Sequence, residues 1–159
     1  MLAHLLLLAA MTPLLIPAPA PGDPVMHRAK GTFEVKVTPA EATPFEKEIG
    51  LTRYTLEKTL HGDLEGTARG EMMATSTEAT GAMGYVAIDH LHVTLAGRTG
   101  SFTLAHRASM IKGDAASAHM SIEVVPSSGT DGLKGIAGTF EIIIDSKGGH
   151  SYDLAYTLP

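Results

Sequence analysis

Asp89 and His106 are the residues of this chain whose types and setting point most directly to chemistry. Each sits in an alternating apolar stretch, YVAIDHLHVTL at 85–95 and SFTLAHRASM at 101–110, and the two stretches flank a Gly-Arg-Thr-Gly knot at 97–100. If Gly97 and Arg98 form a two-residue hairpin turn, Asp89 falls directly opposite His106. Val93, Leu91, Ala87 and Tyr85 then meet Phe102, Leu104, Ala108 and Met110. A four-residue loop from Gly97 to Gly100 instead leaves Asp89 diagonal to His106, about 7–8 Å away along the backbone and still within side-chain reach. A slip by one residue would turn Thr103, Ala105 and Arg107 onto the apolar face, which burial rejects.

A carboxylate and an imidazole in a water-poor lumen titrate as one coupled unit. Burial disfavours the carboxylate, and a neighbouring imidazolium favours it. Either group can then act as a general acid or base near neutral pH, and the aspartate can act as a nucleophile. A buried Asp-His contact is also a common way to satisfy two polar groups inside a barrel, and a role in holding the wall or orienting a ligand is favoured over catalysis.

The remaining candidates carry less. His90 and His92 share a strand face at a spacing zinc can use, but no third ligand accompanies them, so a solvent-facing position is expected and no metal is assigned. Glu65, Thr67, Arg69 and Glu71 share one face of their strand and read as an exposed charged ladder. Lys58 shares parity with Tyr54 and Leu56, which directs it inward or to a barrel end. The eight methionines read as initiator, leader and core filler and not as a metal-binding stripe. With no cysteine there is no thiol nucleophile or thiolate metal site. Neither a phosphate loop nor a nucleophile elbow occurs, and no cofactor is expected.

Asp89 and His106 need elements to hold them, and past residue 30 the chain consists of short period-two runs broken by Gly, Pro, Asp and Ser. The run 31–38 is a strand ended by Pro39 and Pro44. Further strands follow at 54–60, 64–74, 85–95, 101–110, 116–125, 138–144 and 150–158. The third has an inward face of Leu64, Gly66, Ala68, Gly70 and Met72, small enough for neighbouring strands to approach closely. In the last hairpin, with residues 145–149 as its turn, Phe140, Ile142 and Ile144 fall opposite Leu154, Tyr152 and His150. Residues 126–138 read as a loop containing a short turn. Eight strands without an amphipathic helix or repeat fit a closed barrel or a sandwich, and closure removes exposed edges.

At 159 residues the chain fits one domain that buries a core without staples. A net charge of −5, with no basic run among aromatics, argues against nucleic acid as a partner. Residues 1–20 lack Asp, Glu, Lys and Arg, and their apolar run at 5–16 is too short to span a bilayer. Residues 1–24 therefore read as a secretory leader with a Pro-rich linker, and 25–159 as a single β-barrel domain. Secretion or periplasmic export is expected, with a cytoplasmic location if translation starts at Met26. No integral membrane segment remains once the leader is removed. Oligomeric state has no signature in the sequence.

GTFEV at 31–35, KTLHGDLEG at 58–66, LAGRTGSFTLAH at 95–106, VVPSSGTDGLKGIAG at 124–138 and SYDLAY at 151–156 resemble, in order, the blocks of the bacterial domain of unknown function 3224 family. The resemblance implies an all-β fold, a single antiparallel eight-stranded barrel of the allene oxide cyclase-like type, and implies no particular activity. His106 matches the family's histidine after the Gly-Arg turn, and Gly62, Asp63 and Gly66 match its Gly-Asp-Leu-Glu-Gly block. At Asp89 the family pattern leads one to expect glutamate. The plant cyclases' catalytic residues have no matching motif here.

Two functions of different class follow. In the first, the barrel binds a small apolar or amphipathic ligand in its lumen, against Tyr85, Leu91, Phe102, Leu104, Ile122, Phe140 and Tyr152, a mostly apolar surface with a few convergent polar groups. In the second, it is a cofactor-free isomerase, cyclase or hydrolase that uses Asp89 and His106 as catalytic groups.

Overall fold

The computed structural model describes residues 24–159, so the expected leader lies outside the described residues apart from its last position. Eight strands follow one another as β1 (His27–Ala40), β2 (Leu51–Gly62), β3 (Leu64–Thr77), β4 (Ala82–Leu95), β5 (Arg98–Ile111), β6 (Asp114–Val124), β7 (Ala137–Ile144) and β8 (His150–Thr157). Each is antiparallel to the next, and β8 returns to β1 to close the barrel. The strand runs read from period-two alternation are all present, and most extend further than their apolar residues.

β1 continues through Pro39, which pairs with Tyr54 instead of ending the strand. The proline is tolerated because β8 accompanies β1 only as far as the Phe33–His150 pair, so this part of β1 has a free side where a missing N–H breaks no ladder. Between β1 and β2 the chain forms a short helix, α1 (Pro44–Glu48), that alternation did not reveal. Its signal is a capping box. Thr43 accepts from the Glu46 backbone N–H, the Glu46 carboxylate accepts from the Thr43 N–H, and Pro44 occupies the first turn, where no donor is needed.

The β4–β5 turn differs from both expected forms. Its central residues are Ala96 and Gly97, both at positive φ (51° and 75°), with Leu95 paired to Arg98. This backbone matches the right-handed twist of the flanking strands, and Gly97 adopts it without strain. Asp89 therefore faces Leu104, and His106 faces Ala87. Leu91, Val93 and Tyr85 face Phe102, Gly100 and Ala108. The displacement is an even number of residues, so every side chain keeps the face that alternation assigned to it. The last hairpin has the expected pairing throughout, from Phe140–Leu154 to Ile144–His150.

One end of the barrel is plugged. Leu133, from a single 3-10 turn at Asp131–Leu133, and Ile136 enter the core from the β6–β7 loop. Thr130 and Ser128 tie that loop to β5 through the backbone N–H groups of Ser101 and Thr103. On the other side of this end, the Tyr152 hydroxyl accepts from the Leu64 N–H at 2.8 Å. Phe33, Leu60, Leu64, Leu91, Phe102, Leu104 and Leu154 fill the space between.

The wall is uneven. β3 and β4 pair along their whole length, whereas β6 and β7 share the single paired position Glu123–Thr139 and then diverge. A cleft of about 380 Å³, lined by Met120, Ile122, Phe140 and Ile142 among others, lies between them.

Candidate functional site

Asp89, His106 and Lys58 meet inside the barrel, contributed by β4, β5 and β2. Asp89 is 1% exposed and His106 6%. The position of Lys58 depends on β3, the strand between it and Asp89. Lys58 pairs with Ala68, and Asp89 pairs with Gly70, so two small residues leave room for the lysine stem to cross β3. A Cβ at Gly70 would overlap Asp89 Oδ1, so the carboxylate occupies space that only glycine leaves free.

The Lys58 ammonium pairs with Asp89 Oδ2 and also lies 5.5 Å from the centre of the Phe33 ring. His106 Nε2 is 3.0 Å from the same Oδ2. That contact is close but does not make a hydrogen bond, so Nε2 is buried without a hydrogen-bond partner, as is the other carboxylate oxygen, Asp89 Oδ1. Burial pushes the Asp89 carboxyl pKa upward, while the adjacent His106 imidazole and Lys58 ammonium pull it down. The net position is below the ordinary aspartate value, so Asp89 is an anion at neutral pH.

The sequence-derived pair is thus brought together, diagonally and not face to face. The third member, Lys58, takes the inward one of its two expected placements, and parity gives no sign of its partner. The contact spans two strand spacings, and period-two alternation reports which face a residue takes, not which residue two strands away it reaches.

The expected ligand-lining residues divide between two environments. Leu91, Phe102, Leu104, Ile122, Phe140 and Tyr152 all belong to the buried core. Their half of the lumen is filled, and beside Asp89 and Lys58 only about 10 Å³ remains, around one water's worth of space. Tyr85 lies instead at the opposite, open end. There a cavity of about 540 Å³ is lined by Tyr54, Met72, Met83, Tyr85, Met110, His119, Met120 and Ile142 together with small residues of β3, β4, β5 and β6. Burial first, then the charge of Asp89, raises the Tyr85 phenol pKa.

Lumen-facing apolar residues near this end are strongly exposed: Val37 46%, Met83 43%, Met110 40%, Met120 47% and Ile144 59%. The missing signal was volume. Alternation marks inward positions along a strand but does not say where the two walls come too close together to leave space.

His90 and His92 face outward with their rings edge to face, as expected for a solvent face, and Glu65, Thr67, Arg69 and Glu71 are exposed. Among the described residues no helix is long and apolar enough to cross a membrane.

No curated protein matches the chain. A crystal structure of a protein with unknown function from the DUF3224 family of Shewanella oneidensis MR-1 is similar to it, with a TM-score of 0.75 and 38% identity, over 85% of this chain and 98% of that one. The family model described as "Protein of unknown function (DUF3224)" matches residues 29–156, nearly the whole barrel. With that match, a closely similar barrel and the sequence blocks in order, the chain belongs to the DUF3224 family.

Proposed function

We propose that the protein binds a small apolar or amphipathic molecule in the open mouth of the barrel. The observation that carries this reading is the 540 Å³ cavity, whose apolar wall is left half exposed while the other half of the lumen is tightly filled. Its volume falls in the range of small-molecule pockets, and Tyr54 and Tyr85 supply hydroxyls in a mainly apolar lining. Native mass spectrometry of protein purified from its own host should detect a retained ligand, and an anilinonaphthalene sulfonate dye should bind the emptied protein. Ala108→Trp, which fills the cavity with apolar bulk, should weaken dye binding by roughly tenfold or more. Equal dye binding by both proteins, or no binding by the wild type, overturns the reading.

A second reading, cofactor-free catalysis by Asp89 and His106, draws support from their unpartnered buried atoms, Oδ1 and Nε2. It ranks second because neither residue lines the mouth cavity. Under it, Asp89→Asn and His106→Ala would abolish turnover of a compound related to the retained ligand while leaving its binding largely intact. Under the binding reading the same changes leave no turnover to lose.

A further inference from the structure

Methionine and leucine are segregated in this barrel in a way that apolarity alone does not require. The buried core cluster contains seven leucines and no methionine: Leu60, Leu64, Leu91, Leu95, Leu104, Leu133 and Leu154. The mouth cavity is lined by four methionines and no leucine. The two residues have similar volume and exchange at small cost in most cores, so something other than bulk distinguishes the mouth. What methionine has and leucine lacks is a polarizable thioether sulfur.

Strand register brings three of these sulfurs to one part of the rim. Met83 on β4 is directly opposite Met110 on β5, which places their Cβ atoms about 5 Å apart. Met120 on β6 pairs with Ala108, one inward position from Met110, and although the β5–β6 register shifts between Ser109 and Ile111, Met110 and Met120 line the same cavity. Each side chain has three rotatable bonds and is 40–47% exposed, so the sulfurs are accessible and free to converge. The cavity lining holds no carboxylate, which leaves hard divalent cations without their preferred oxygen donors, and its one imidazole, His119, has the opposite strand parity to Met120. Neutral thioether donors select a soft monovalent ion, and among biological metals that is Cu(I).

We propose that Met83, Met110 and Met120 form a binding site for one cuprous ion at the rim of the barrel. The ion binds as Cu(I) and undergoes no change of oxidation state. This goes beyond the apolar-ligand reading and does not depend on it.

The test is an anaerobic titration of the full chain with Cu(I) in competition with bicinchoninate. One equivalent should bind. The triple variant Met83→Leu/Met110→Leu/Met120→Leu keeps side-chain volume and the barrel, checked by its far-ultraviolet spectrum and thermal melt. It should bind Cu(I) at least roughly 100-fold more weakly, beyond the loss typical of an outer-shell change. In protein carrying 13C-methyl methionine, Cu(I) should shift the methyl resonances of Met83, Met110 and Met120 and leave Met73 and Met26 in place. No stoichiometric binding overturns the proposal, as does affinity that survives the triple substitution or equal shifts at Met73. Dye binding by the triple variant reports the apolar cavity separately, so either reading can fail without the other.

Discussion

Asp89 is the residue most dependent on its surroundings. It is a buried anion whose direct cationic partner is Lys58, and a buried pair is costly to break from one side because the remaining carboxylate loses its ammonium without regaining water. Lys58→Met should therefore destabilise the barrel by about 3 kcal/mol in equilibrium urea unfolding, and adding Asp89→Asn should recover a substantial part of that loss. If the double variant is as unstable as the sum of the two single ones, the lysine and aspartate are not energetically coupled. At this scale the sequence was partly legible. Alternation placed Asp89, His106 and Lys58 on inward faces, because a side chain's face depends only on parity. It did not reveal that Ala68 and Gly70 open a path between Lys58 and Asp89, since that requires three adjacent strands to be in register. The turn lies one residue earlier than Gly97–Arg98, which shifts the pairing by two, because an alanine at positive φ leaves no compositional mark, and Ala96 is such a residue.

Among the elements, the junction between β6 and β7 differs from the rest of the wall. Most neighbouring strands pair along extended stretches, whereas these two meet at Glu123 and Thr139 alone. Ladder hydrogen bonds and burial set the free energy of local opening. Amides of residues 115–121 and 141–144 that face this cleft should thus exchange with solvent well before the paired amides of β3, β4 and the first half of β5. Native-state hydrogen exchange read residue by residue checks this, and uniform protection around the ring would contradict it. The strand count was fully legible because eight alternating runs separated by turn residues are a strong signal. The loose junction was not, because AASAHMSI and TFEIII both carry an apolar residue at every second position as paired strands do, and that pattern does not report pairing. Helix α1 was overlooked for the opposite reason. It is too short to show a helical period, although Thr43, Pro44 and Glu46 carry its cap in plain view.

At the scale of the whole molecule, the ring is closed by β8 against β1, and Asp153 fastens that closure. Its carboxylate receives Arg28 and Lys30 from β1, and those hydrogen bonds lower its pKa to about 2. A carboxyl whose pKa is lower in the folded state contributes stability that is fully present above its unfolded value, about 4, and is lost as pH falls through the folded value. Thermal stability of the wild type should accordingly decline between about pH 4 and pH 2, and Asp153→Asn should start lower at neutral pH and decline less steeply over that window. Differential scanning calorimetry across this range decides it, with parallel slopes counting against a role for Asp153.

The β1–β8 pairing also governs how the barrel is made. Of the eight strands β1 leaves the ribosome first, and its second neighbour does not exist until more than a hundred further residues have been synthesised, so the nascent barrel carries an open strand edge until β8 is made. Such an edge invites pairing with other chains, and positive side chains are a common deterrent. Arg28 and Lys30 stand on that edge, and the same two charges that later grip Asp153 can keep it from premature partners while the last strand is still to come.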